Sequence, residues 1–124
     1  MKPKLAPHLK LGKTGEQIAT TYLNKKGYHI IDRNFRSHYG ELDIIATYDE
    51  TLIFAEVKTR IGSAHGLPAE AVTPWKLKGV IRTAQYYVML HPELPEALQI
   101  DVIAIDMDEK NNPVDIRHYE NVTL

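Results

Sequence analysis

Residues 28–59 hold three short β-prone segments joined by connections too short for anything but hairpins. Tyr28–Arg36, Glu41–Tyr48 and Thr51–Thr59 are each rich in Ile, Tyr, Phe, Val or Thr, residue types that suit a pleated, half-buried surface. Gly40 breaks the first pair and Asp49-Glu50 the second. Parallel strands need a crossover of about a dozen residues or more, so consecutive members of this trio are expected to run antiparallel.

The segment "VTPWKLKGVIRTAQYYVMLHP" is punctuated as a helix. Thr73 is a good N-cap and Pro74 occupies the first helical position. Val72 and Leu77 are placed for a hydrophobic staple. Leu77, Val80, Ile81, Ala84 and Val88 form an apolar stripe, and Pro92 prevents continuation. A helix of this length can cross over the sheet, so the next β-prone segment, Leu98–Asp106, is expected to lie parallel to Thr51–Thr59. A last polar strand at Val114–Glu120 reads as an edge.

Before the three strands, Gly12 to Lys26 is helical in pattern. Ile18, Ala19, Tyr22 and Leu23 share one face, Thr14 and Gln17 have capping-box spacing, and Gly27 suits a C-cap. The order is therefore α-β-β-β-α-β plus a short final strand: an α/β chain with a mixed β-sheet flanked by helices. The 124 residues suit a single domain. Its first ten residues read as a loose arm or an early helical turn, and residues 108–124 as an edge strand and tail.

Composition removes several function classes. There are no cysteines, so disulfides, thiolate nucleophiles and sulfur-ligated zinc are excluded. The six histidines show neither helical spacing nor an HxH pair, which argues against a histidine metal site. No apolar run approaches membrane-spanning length, and the opening "MKPKLAPHLK" lacks the apolar core of a secretory leader. A cytoplasmic location is the expectation. No glycine-rich phosphate loop supports an NTPase. Residues 1–82 carry 13 Lys/Arg against 8 Asp/Glu, and residues 83–124 carry 2 against 8. This polarity offers a polyanion a basic face.

The chemistry is concentrated in two strands. Side chains alternate between the faces of a strand, so Phe54, Glu56 and Lys58 are expected on one face of the third strand. On the second, Glu41, Asp43 and Ile45 are expected on one face, with Leu42, Ile44 and Ala46 on the other. A turn on Asp49-Glu50 sets Tyr48 opposite Thr51. Carried onward, that register predicts Asp43 opposite Glu56 and Glu41 opposite Lys58. Facing carboxylates repel, and a shared proton or a hard divalent cation would relieve them. Mg²⁺ takes oxygen ligands and is satisfied by one or two carboxylates when substrate phosphate completes its shell. Lys58 would place an ammonium at the same spot, completing a kit for phosphodiester hydrolysis.

The segments "GKTGEQIATTYLNKKGY", "RNFRSHYGELDIIA", "LIFAEVKTR" and "GLPAEAVTPWK" resemble the YraN-type family of uncharacterised bacterial proteins. That family is assigned to the restriction-endonuclease-like superfamily and is similar to archaeal Holliday-junction resolvases. The resemblance covers about residues 12–90. It implies the restriction-endonuclease-like fold, with its α-β-β-β-α-β core. It also implies a metal-dependent nuclease of the PD-(D/E)XK type, acting on DNA, branched or junction DNA included. Carried over by motif, Asp43, Glu56 and Lys58 are the catalytic set. Asp43, Glu56, the backbone carbonyl of Val57 and Glu16 on the first helix are the ligands for Mg²⁺ or Mn²⁺. Resolvases of the superfamily work as dimers, so a homodimer is implied as well. The chain lacks the Gln-x-x-x-Tyr spacing of some exonuclease relatives.

Around this set stand Arg33, Asn34 and Arg36 on the first strand, Arg60 beyond Lys58, and Lys76, Lys78 and Arg82 on the second helix. Arg36, Arg60, Lys76, Lys78 and Arg82 are the candidate phosphate-backbone contacts. His65 lies in the glycine-rich loop. Trp75, Tyr86 and Tyr87 read as packing residues. The alternative reading is a nucleic-acid-binding protein that keeps the nuclease fold without catalysis.

Overall fold

The computed structural model describes residues 7–62 and 74–123, with side chains from residue 10 in the first stretch and from residue 76 in the second. Helix α1 spans Pro7–Lys25. Strands β1, His29–Ser37, β2, Gly40–Tyr48, and β3, Thr51–Ile61, come next. Helix α2 runs Pro74–Leu90, and strands β4, Ala97–Met107, and β5, Pro113–Tyr119, close the chain. The five strands form one sheet in sequence order. All pairings are antiparallel except β3 with β4, which is parallel across the α2 crossover. This is the α-β-β-β-α-β core expected of a restriction-endonuclease-like fold, extended by an edge strand.

The two apolar stripes explain the layers. On α1, Ile18, Ala19, Tyr22 and Leu23 pack on Ile44, Ala46, Ile53, Ala55, Ile103 and Ile105. On α2, Leu77, Val80, Ile81, Ala84, Tyr87 and Val88 pack on Leu42, Ile45, Leu52, Phe54 and Ile100. The sheet is thus sandwiched between the helices, and its central strands are apolar on both sides. Tyr87 is buried against Phe35 and Phe54, the packing role expected of it.

Helix α1 starts five residues earlier than the sequence pattern suggests. Thr14 is therefore inside the helix and makes no capping box; its hydroxyl donates to the Lys10 carbonyl at 2.9 Å. The seat of α1 on β3 depends on Gly15, where a Cβ would collide with Thr59 Oγ1. The expected cap at Thr73, the staple residue Val72, the loop around His65 and the side chain of Trp75 lie outside the described residues.

The β2–β3 turn matches its expected register, with Tyr48 paired to Thr51. Asp49 and Glu50 both take positive φ, 48° and 59°. Consecutive left-handed residues are what a two-residue hairpin matched to strand twist requires. Among the described residues no helix is long and apolar enough to cross a membrane.

Candidate active site

The predicted register holds from the turn to Ile44 paired with Ala55, and there the β2–β3 ladder stops. The next residue of β2 is Asp43. On its other side, β1 pairs Arg33 with Ile44 and Phe35 with Leu42, passing over Asn34 and Asp43. Asn34 is the cause: its φ of 55° turns it out of the strand conformation. Asp43 is thus skipped by both neighbouring strands.

Its side chain takes over the missing bond. Asp43 Oδ2 accepts the Val57 N–H at 2.8 Å. A strand residue points its N–H and C=O to the same side, so the Val57 carbonyl also faces the gap between β2 and β3. The expected apposition of Asp43 and Glu56 is realised by proximity rather than by ladder pairing. After burial, the Asp43 carboxylate is the strongest influence raising the Glu56 pKa.

Two expectations fail at this gap. Glu41 does not face Lys58, because the strands have parted. It lies opposite Arg36 on β1, with a 3.6 Å ion pair between them. The alternation of β2 also breaks: Leu42 joins Ile45 in the α2 layer, while Ile44 and Ala46 lie in the α1 layer. A regular pleat would have put Leu42 with Ile44.

The site opens as a cleft of about 890 Å³ lined by Asp43, Glu56, Val57, Glu41, the β1–β2 turn residues His38, Tyr39 and Gly40, and Lys76, Lys78, Gly79, Val80 and Arg82 of α2. Of the expected phosphate contacts, Lys76, Lys78 and Arg82 line it. Arg36 is 78% exposed at its side chain and sits behind Glu41. Arg60 is farther along β3, in register with Asp106 of β4, and is not part of the cleft wall. Lys58 lines a smaller adjoining cavity together with Glu56, Val57, Lys76 and Leu77. The two cavities share Glu56, Val57, Lys76 and Val80.

Electrostatics single out Glu56. It is 8% exposed, and burial, helped by the Asp43 carboxylate, pushes its pKa up to about 9. Burial also raises Asp43, opposed first by the Val57 N–H bond. The largest charge pulling Glu56 back down is Lys76, which acts on Asp43 too. Lys76 therefore acts on the carboxylate pair as well as lining the helix wall of the cleft. Glu16, on α1, is raised by burial and then by Asp43. With its nitrogen turned toward the acids, the Asn34 amide donates to Glu16 Oε1 at 2.6 Å and Glu41 Oε1 at 3.3 Å. The residue whose twist frees Asp43 thus also ties two outer carboxylates together.

These residues suit a hard cation. Glu56 Oε1 is buried without a hydrogen-bond partner, which is costly unless something else satisfies it. The donor set of two carboxylates and one carbonyl is all oxygen, as Mg²⁺ and Mn²⁺ prefer.

Residues 15–105 match the profile of uncharacterised protein family UPF0102. The chain belongs to that family. The chain is 48% identical over 99 residues to a UPF0102 protein of Chlorobium phaeobacteroides, covering 80% of this chain and 78% of that one. It is 43% identical over 114 residues to a UPF0102 protein of Alkaliphilus oremlandii, covering 90% and 96%. A UPF0102 protein of Syntrophomonas wolfei is 39% identical over 104 residues, covering 84% and 90%. The matched span of the UPF0102 profile runs from Gly15, which seats α1, through the cleft to β4. The YraN-type resemblance is thus borne out at the family level.

The sequence pattern did not single out His38, Tyr39 and Gly79. The signal for them is weak: "SHYG" reads as a turn, and only the packing of α2 makes that turn a cleft wall.

Proposed function

We propose that this UPF0102 chain is a metal-dependent nuclease that hydrolyses phosphodiester bonds in DNA. The observation that carries the proposal is the Asp43–Glu56 pair, Asp43 skipped by both neighbouring strands, lining a cleft whose helix wall carries Lys76, Lys78 and Arg82. In this reading Asp43, Glu56 and the Val57 carbonyl hold Mg²⁺ or Mn²⁺, with Glu16 as an outer carboxylate oriented by Asn34. When bound, the cation polarises the phosphate and lowers the pKa of its water. Lys76, Lys78 and Arg82 hold the phosphate backbone. Lys58, on the strand face of Glu56, orients the attacking water and stabilises the charge that develops. Asp43 stays anchored by the Val57 N–H, so one of its oxygens is fixed while the other serves the cation.

The test is cleavage of linear, flapped and four-way DNA by purified protein in Mg²⁺ or Mn²⁺. Asp43→Ala and Lys58→Ala should each slow cleavage by roughly 100-fold or more. Variants that cut as fast as wild type would refute the assignment. Salt-sensitive DNA binding without metal-dependent turnover would leave only a binding role.

A further inference from the structure

The β1–β2 turn places two aromatic rings at the mouth of the cleft. His38 and Tyr39 lie against one another with ring centroids 3.9 Å apart and planes tilted by 39°. Tyr39 is 44% exposed and meets Tyr86 of α2 at 6.1 Å, edge to face. An exposed turn tyrosine is ordinarily mobile, but this one is held. Gly40 lies so close to α2 that an added Cβ would come within 3.2 Å of Thr83 Oγ1, and a Cβ on Gly79 would sit 3.5 Å from the Tyr39 carbonyl. Thr83 is itself fully buried, its hydroxyl donating to the Gly79 carbonyl at 2.8 Å. Gly40 thus lets the turn backbone close onto the helix, and the contact with Tyr86 holds Tyr39 at the rim.

The helix supplies the complement. Lys78, Arg82 and Tyr86 succeed one another at four-residue spacing, so they line one face of α2. Cations therefore lead to Tyr86 and, beside it, to Tyr39 and His38. A cationic track running up to pinned ring faces is the arrangement that binds a single nucleic-acid strand, phosphates on the cations and bases on the rings. A duplex keeps its bases stacked inside and presents no face to such a platform.

We infer that His38 and Tyr39 form a base-stacking platform that selects DNA with an unpaired strand beside the bond to be cut. This rests on reading the cleft as a nucleic-acid site, but not on any chemistry at Asp43 and Glu56. Tyr39 and His38 are specificity residues, and Arg82 with Lys78 directs the strand to them.

The test is fluorescence anisotropy with a labelled oligothymidylate and a blunt duplex of equal length, without divalent metal. Wild type should favour the single strand. Tyr39→Ala should lose about tenfold or more for it, since one stacked base is worth that much, while duplex binding changes less than about twofold. Tyr39→Trp should restore single-strand binding, and His38→Ala should weaken it in the same selective way. Equal losses on both probes, or no loss on either, would overturn the inference. Cleavage assays separate the two claims. Selective binding without turnover removes the nuclease and leaves the platform. Turnover of plain duplex, unaffected by Tyr39→Ala, removes the platform and leaves the nuclease.

Discussion

At the scale of single residues, Glu56 is held where water would not leave it. Its pKa, pushed up to about 9, stands above the ordinary 4.5. A carboxyl raised in this way contributes stability that is fully present below 4.5 and is lost as pH climbs toward 9. Metal-free Glu56→Gln cannot ionise, so its melting temperature relative to wild type should climb as pH rises through that window. A difference that is flat in pH would show that Glu56 does not titrate there. Metal binding to wild type should release protons near neutral pH, because ligation requires the carboxylate. Calorimetry in buffers of different ionisation enthalpy reads this directly. Asp101 presents the opposite case of a buried carboxyl hydrogen-bonded at both oxygens. It accepts from His118 Nε2 at 2.7 Å, Gln99 Nε2 at 2.9 Å and the Asn121 N–H at 2.9 Å. His118 in turn faces Lys26 and Tyr22 of α1, away from the cleft. Asp101→Ala should cost about 3 kcal/mol by stranding those donors, measured by denaturant melts. Metal titration of the folded variant should be unchanged.

At the scale of elements, the β2–β3 hairpin carries a correctable cost. Asp49 and Glu50 hold the left-handed conformation that glycine adopts freely. Glu50→Gly should stabilise the chain by about 1 kcal/mol; a melting temperature at or below that of wild type would contradict this. That turn also marks how far the sequence could be read. Its two residues set the register of Tyr48 with Thr51, and the pairing held as far as Ile44 with Ala55. The helices were equally legible, because Ile18, Tyr22 and Leu23 or Leu77, Ile81 and Val88 recur at helical spacing and Pro92 forbids continuation. Beyond Ile44 the reading failed, since it assumed an unbroken pleat. Asparagine tolerates the left-handed conformation better than most residues, but nothing local announces that Asn34 will adopt it opposite Asp43. The proximity of Asp43 and Glu56 survived that error because Asp43 replaces the lost ladder bond with its own side chain. The partnership of Glu41 with Lys58 had no such substitute. His38 and Tyr39 were illegible for a different reason: their position depends on the close approach of Gly40 and Gly79, residues 39 positions apart.

At the scale of the whole molecule, charge is separated across the sheet. Asp106, Asp108, Glu109 and Asp115 gather at the β4–β5 end, while Lys76, Lys78 and Arg82 line the cleft beside β2 and β3. The sheet order puts β5 at the edge opposite β1, so a polyanion is repelled by one edge and drawn to the other side. Such attraction is measured by counterion release, which makes the slope of log binding constant against log salt a count of phosphate contacts. Each cleft cation should contribute about 0.7 to that slope on single-stranded DNA. The triple substitution of Lys76, Lys78 and Arg82 by Ala should therefore flatten it by roughly 2. Arg60→Ala, outside the cleft wall, should leave it unchanged. Arg36→Ala should also leave it unchanged, because that side chain is not part of the cleft wall. If Arg36→Ala or Arg60→Ala flattens the slope as much as a cleft substitution, the strand runs along β1 or β3 rather than α2. The proposed path of a nucleic acid over the molecule would then have to be redrawn.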